Sequence, residues 1–258
     1  MQFTHKVSKG SAYNQIYIPR RMETHFEVGD IVEIKLIRKN DNLYYHNIKE
    51  SNLSEFKRKL IANIIQELNK FKEIEQIIFT GSFLTSKIDY NDIDIILITD
   101  KKESNIEEKA FNHLTDIFNL KFHIISINKS NLSHLLKICP LTRSMFHFSI
   151  SNKKIILNKE REINKPHLNF LLMMPEDSIS LNLSSKTLYN SLRRLIAIAN
   201  FLSNKDENPQ EIDLEIKFLI KEVLFSQIKS NEAIDKSQES KIKSIIKEKL
   251  NKIKNQLK

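Results

Sequence analysis

Two short apolar runs set a fixed interval apart restrict this chain more than any other feature. Ile77-Ile78-Phe79 leads through Thr80 into Gly81-Ser82, and nine residues later (83 to 91 intervene) comes Asp92-Ile93-Asp94-Ile95-Ile96-Leu97-Ile98. Short apolar runs bounded by a glycine turn and polar residues read as buried strands. Side chains alternate along a strand, so Asp92 and Asp94 are expected on one face, ~7 Å apart, with Ile93 and Ile95 turned to the other face and a core. Two carboxylates that close repel unless a cation lies between them. Such a pair suits Mg2+, which takes a few carboxylates and completes its octahedron with water and phosphate oxygens. Two such ions align an attacking hydroxyl with a pyrophosphate leaving group. Gly81 permits close backbone approach and frees amides to face phosphate, and the Ser82 hydroxyl adds a contact.

The surroundings divide into three segments. Residues 1–40 read as short strands and turns: Gln15-Ile16-Tyr17-Ile18 alternates, Pro19 ends it, a helical turn over 21–26 can follow, Val28-Gly29-Asp30 is a turn, and 31–37 alternates again. So few apolar positions cannot build an independent core, and a unit of this kind needs a partner copy. Residues 39–52 are polar and read as a linker. Leu53, Phe56, Leu60, Ile61, Ile64, Ile65 and Leu68 then recur at helical spacing with Ser54 as N-cap. After the two strands come a helix over 105–118 and a strand over 122–127. Residues 165–258 are helical: Leu188, Leu192, Leu195, Ile196 and Ala199 mark one helix, and 212–228 a second. In the tail, 241–258, an apolar stripe runs among seven lysines. That stripe is expected to pack on its own domain, with the lysines solvated, in preference to touching RNA or a membrane surface. No internal repeat is evident. The fold class expected is α+β: a small N-terminal β unit (1–40), a central mixed sheet with flanking helices (53–160) and a C-terminal helical domain (165–258). Only 3 glycines and 5 prolines in 258 residues argue against a large sandwich or barrel.

The formal net charge of +9 favours polyanionic partners such as nucleic acid or nucleotide phosphates. The single cysteine, Cys139, excludes an internal disulfide and a cysteine-built zinc site, and its apolar neighbours make it a small buried residue. No apolar run reaches the ~18 residues needed to cross a bilayer and the first residues lack a secretory apolar region, so no membrane association and a cytoplasmic location are expected.

The apolar strand, Gly81-Ser82, the gap and Asp92-x-Asp94 together resemble the signature of the DNA polymerase beta-like nucleotidyltransferase superfamily, in its minimal form. The resemblance implies a nucleotidyltransferase fold over 53–160, with Asp92 and Asp94 as catalytic metal ligands for Mg2+ (or Mn2+) and Gly81 and Ser82 cradling the phosphates of an NTP substrate. That family usually draws a third carboxylate from a later strand, where this chain has His123 in Lys121-Phe122-His123-Ile124. Neutral imidazole is a poor Mg2+ ligand but serves as a general base or takes a softer metal. Either His123 takes over part of the role, or a carboxylate elsewhere such as Asp116 does, or catalysis is weakened. Asp89 reads as a loop residue. Lys137 and Arg143 lie where a triphosphate contact is conceivable, though a solvated helix face is the plainer reading.

Residues 6–37 resemble the swapped-hairpin DNA-binding domain of the SpoVT/AbrB family, through Lys6-Val7-Ser8-Lys9-Gly10, Gln15-Ile16-Tyr17-Ile18-Pro19-Arg20 and Phe26-Glu27-Val28-Gly29-Asp30-Ile31-Val32-Glu33-Ile34. Two chains interleave hairpins in that family, which implies a homodimer here. It also implies Lys6, Lys9, Arg20 and Arg21 as DNA contacts, chiefly to phosphate. The C-terminal helices are similar to the helical partners of minimal nucleotidyltransferases. The related HEPN ribonucleases cut RNA with an Arg and a nearby downstream His; no histidine follows Arg193 and Arg194 within reach, so nuclease activity is not expected.

The leading expectation is an enzyme that moves NMP from an NTP, most simply ATP, to a hydroxyl of RNA, a protein or a small molecule. The alternative is a DNA-binding transcriptional regulator whose weakened central domain senses nucleotide. An antitoxin-like transferase acting on a partner protein is a third reading.

Overall fold

The computed structural model describes residues 7–17, 29–34, 43–49, 53–85, 90–100, 105–155 and 160–257, divided into two compact units, 1–40 and 41–258. Lys6, Arg20, Arg21, Asp89 and the helical turn expected over 21–26 lie outside the described residues.

In the first unit, β1 (Ser8–Lys9) pairs antiparallel with β2 (Asn14–Gln15), Ser8 opposite Gln15. The Gly10 amide donates to the Tyr13 carbonyl at 3.0 Å, and a Cβ on Gly10 would meet that oxygen at 2.4 Å, so the turn needs a glycine. The strand expected over 15–18 is thus paired one residue earlier and stops at Gln15. The strand expected over 31–37 is not one in its described part, 31–34. A strand exists by its ladder partner, and none faces this segment among the described residues. Val7, Tyr13, Tyr17, Ile31, Val32 and Ile34 are all exposed, Ile31 completely (101%).

The second unit is α+β. Its sheet has the order β3-β7-β4-β5-β6: β3 Tyr44–His46, β7 Ser149–Ser151, β4 Ile74–Thr80, β5 Ile93–Thr99 and β6 Phe122–Asn128. Only β5 and β6 run parallel; the other neighbours are antiparallel. β3 falls inside the stretch read as a linker, a correction that follows from its pairing with the later β7. On one face, Ile77, Phe79, Ile93, Ile95, Leu97 and Phe122 pack against α1 (Glu55–Leu68) and α2 (Ile106–Phe118). On the other, Ile78, Ile96 and Ile98 meet Leu132, Leu136 and Phe146 of α3 (Lys129–Ile138) and α4 (Pro140–His147). Burial of each such side chain contributes ~1.5–3 kcal/mol before the cost of ordering it.

Local signals explain the helix limits. Ser54 Oγ accepts from the Lys57 amide at 3.3 Å and starts α1. α2 ends at Asn119, which takes the left-handed φ of 49° and donates its amide to the Thr115 carbonyl. The phase of α1 departs from expectation: Phe56 faces solvent (64% exposed) and Lys57 takes the inward position (5%).

The helical layer comprises α5 (Lys165–Ser180), α6 (Ser185–Leu202), α7 (Pro209–Ile220), α8 (Glu222–Lys229) and α9 (Lys236–Leu257). Its core is continuous with Ile138 and Cys139, so the sheet and the helices share one compact unit. Pro175 lies within α5 and cannot donate to the carbonyl one turn earlier; Arg194 Nη1 donates to that Leu171 carbonyl at 3.2 Å instead. The run 212–228, expected as one helix, is broken at Lys221, whose φ of 70° and ψ of 157° no helix tolerates. α9 buries Ile242, Ile246, Leu250, Ile253 and Leu257, while Lys243, Lys249, Lys252 and Lys254 pair with Glu239, Glu215, Glu248 and Glu176. No helix among the described residues is long and apolar enough to cross a membrane.

Candidate functional site

The site forms where β4 leaves the sheet beside the start of β5. Thr80 is the last paired residue of β4 and stands opposite Asp94. Gly81 follows at φ 79° and ψ −165°, a conformation open to glycine and costly for other residues. Space demands glycine as well: a Cβ there would meet Asp94 Oδ2 at 1.9 Å. The carboxylate of Asp94 therefore lies directly against the Gly81 backbone. Ser82–Leu84 then make one 3-10 turn, closed by the Leu84 and Thr85 amides donating to the carbonyls of Gly81 and Ser82. Phe83 and Leu84 are buried and anchor the turn.

The parallel register of β5 and β6 sets His123 beside Asp94. His123 Nδ1 lies 3.0 Å from Asp94 Oδ1, while the imidazole keeps 59% of its surface exposed. With Nδ1 protonated, the ring donates to the carboxylate and leaves Nε2 with a lone pair, the arrangement that orients a proton acceptor. Alternation along β5 turns Asp94 to the α3–α4 face of the sheet, away from Ile93 and Ile95.

Asp92 sits one residue before β5, half-buried. Its carboxylate has no hydrogen bond or ion pair among the described residues, and it borders a groove of about 550 Å3 shared with Phe111, Thr115 and Lys121. The structure thus brings Gly81, Asp94 and His123 into contact, but the expectation that Asp92 shares a face with Asp94 is corrected: Asp92 precedes the first paired residue of β5, so strand alternation does not orient it, and it borders the groove on the α2 side. Asp116 stands on α2, which packs on the opposite face of the sheet from Asp94, so the structure does not bring it to Asp94. Among the described residues no three His, Cys, Asp or Glu side chains converge on one point. The donor set still fits Mg2+ or Mn2+ in the mode where one or two carboxylates hold the ion and phosphate oxygens and water fill the remaining positions.

Lys137 and Arg143 are committed elsewhere. Lys137 pairs with Glu160 at 2.8 Å, which holds its ammonium above its ordinary pKa. Arg143 Nε donates to Glu207 Oε2 at 3.1 Å and Nη1 to the Leu136 carbonyl at 2.8 Å. Glu207 is buried (2% exposed), and Arg161 Nη2 lies 3.1 Å from its other oxygen as an ion pair outside hydrogen-bond geometry. This triad ties α4 to the segment between α6 and α7. In the first unit, Lys9 is exposed on β1.

Sequence reasoning missed Lys57, whose buried ammonium donates to the carbonyls of Phe83 and Thr85 at 2.8 and 2.9 Å. A signal was there to read: Leu53, Lys57, Leu60, Ile61 and Ile64 form one helical stripe, and a lysine on such a stripe needs a partner. No protein-family model matches the chain, and neither a curated protein nor a solved structure matches it.

Proposed function

We propose that the 41–258 unit is a metal-dependent nucleotidyltransferase that moves NMP from an NTP, most simply AMP from ATP, to a hydroxyl of RNA, a protein or a small molecule. The observation that carries this reading is the contact of Asp94 with Gly81 on one side and His123 on the other. A carboxylate pressed against a glycine bend sets an anionic ligand for a cation within reach of backbone that accommodates phosphate. Asp94 would hold Mg2+ or Mn2+, and the ion would supply neutralisation of phosphate charge for displacement at the α-phosphorus; Asp92 would reach it only by turning from the α2 groove. Gly81 and Ser82 receive the β- and γ-phosphates. The acceptor hydroxyl oxygen forms a bond to the α-phosphorus as the bond to the bridging oxygen breaks, and pyrophosphate leaves with the electron pair. His123, oriented by Asp94, takes the hydroxyl proton.

Incubation of the full chain with α-labelled ATP, GTP, CTP or UTP and Mg2+ or Mn2+, with RNA, protein and small-molecule acceptors offered in turn, tests the proposal. Label transfer with release of pyrophosphate, lost in Asp94→Asn, is the expected result. Transfer unchanged in that variant counts against it.

A second reading is favoured by the first unit, where Val7, Tyr13, Tyr17, Ile31, Val32 and Ile34 face solvent. There, two copies of residues 1–40 join as a dimer that binds DNA through Lys6, Lys9, Arg20 and Arg21, and the second unit senses nucleotide without turnover. Salt-dependent binding to a defined duplex, lost on charge reversal at Arg20 and Arg21, with no label transfer, selects this reading.

A further inference from the structure

We propose that Lys57 is the positioning residue of the 81–85 bend: its ammonium, reaching from α1, holds the bend in the shape that sets Gly81 against Asp94. The residue's meaning for catalysis rests on the nucleotidyl-transfer reading; its hold on the bend does not.

Lysine is almost never fully buried without partners, and Lys57 is 5% exposed. Its ammonium contacts the bend and, beyond it, Tyr90. Nζ donates to the Phe83 carbonyl at 2.8 Å and to the Thr85 carbonyl at 2.9 Å, and lies 5.2 Å from the ring centres of both Phe83 and Tyr90. Those rings meet edge to face at 4.9 Å, so the ammonium is enclosed by two aromatic faces and two carbonyls. Burial of this kind pushes the amine below its ordinary pKa, and carbonyl dipoles and ring faces oppose that push by favouring the charged form.

The consequence is geometric. A 3-10 turn of three residues has little intrinsic stability, and the carbonyls at its end need donors. Lys57 supplies them from beneath, and this selects one orientation of the Phe83 and Thr85 peptides. On the opposite side the Asp94 carboxylate leaves no room for anything larger than Gly81. The bend is therefore clamped between α1 and β5. An apolar side chain at position 57 fills the stem's volume but removes the ammonium donor from both carbonyls, and the bend then turns them towards water and carries Gly81 and Ser82 away from Asp94.

The test compares the full chain with Lys57→Met, Lys57→Gln and Leu60→Ala. The last variant removes a buried apolar side chain from the same helix, one that cannot donate to these carbonyls, and so shows what mere loss of helix packing does. Two readouts are taken: hydrogen exchange of the Leu84 and Thr85 amides, and calorimetric titration with MgATP. In Lys57→Met the two amides should exchange at least about tenfold faster, and MgATP affinity should fall at least about tenfold. Leu60→Ala should lower the unfolding midpoint with neither effect. Lys57→Gln, which keeps a donor on a shorter stem, should fall between, and it serves if the methionine variant does not fold. Exchange of Leu84 and Thr85 unchanged in the Lys57 variants, or raised equally by Leu60→Ala, overturns the proposal. A wild-type chain that ignores MgATP sinks the transferase reading alone, and the exchange comparison still decides the role of Lys57.

Discussion

The two units of this chain solve the burial problem differently. In 41–258, apolar side chains from both faces of the sheet and from the helices close on one another, and Phe79, Phe83, Phe146 and Phe201 are fully enclosed. In 1–40, none of the described residues is buried. The larger unit carries its own core and can therefore hold costly features, such as a buried lysine and a buried glutamate. The described residues of the smaller one hold no core to offset such a cost, and exposed apolar residues such as Ile31 suit a surface supplied from elsewhere.

The sharpest way to break this comparison is truncation in each unit. Phe79→Ala should cost the second unit ~3–5 kcal/mol in urea unfolding. Ile31→Ala, at low protein concentration, should stay within about 0.5 kcal/mol of wild type. A large effect of Ile31→Ala under those conditions would show that the first unit has a core after all. Glu207→Ala should come next, at roughly 3 kcal/mol, because it removes the buried carboxylate that Arg143 and Arg161 share. A loss under about 1 kcal/mol would reduce the triad to a surface ion pair. Lys221→Gly should act in the opposite direction. Glycine adopts φ 70° without strain, so the unfolding midpoint should rise by an amount equivalent to about 1 kcal/mol.

The smallest effect expected is a pH dependence. Burial, with Lys154 as a lesser cause, holds His46 below the ordinary 6.5, and burial, with His134 as a lesser cause, does the same to His167. The unfolded chain therefore binds more protons than the folded one just below pH 6.5. Stability should be complete above 6.5 and decline as the pH falls from there towards the depressed folded values. His46→Gln and His167→Gln together should flatten that slope. A slope unchanged in the double variant would place its origin in other groups.

What could be read from the sequence follows from periodicity. β4, β5 and β6 are apolar enough to announce themselves, and α1, α2 and α6 carry regular stripes. β7 hides because Ser149 and Ser151 flank its one isoleucine. Both hydroxyls are buried and satisfied by the carbonyls of Phe146 and Lys153, a solution visible only once the chain has folded back. β3 hides for the related reason that its partner is more than a hundred residues away. The break at Lys221 has no signal, since neither glycine nor proline marks it. At the site, alternation along β5 orients Asp94, and the β6 register delivers His123 to it. Space alone reveals the Gly81 contact with Asp94, and Lys57 was obscured by Phe56, the more apolar neighbour that faces water.

The contact of Asp94 with Gly81 and His123 is tested most directly by electron paramagnetic resonance of Mn2+ titrated into the full chain with ATP. A cation held by Asp94 beside bound nucleotide phosphates should remove free Mn2+ signal at one site per chain. Asp94→Asn should weaken that binding at least about tenfold. Equal Mn2+ binding by wild type and Asp94→Asn, or no binding beyond that of ATP alone, contradicts the account.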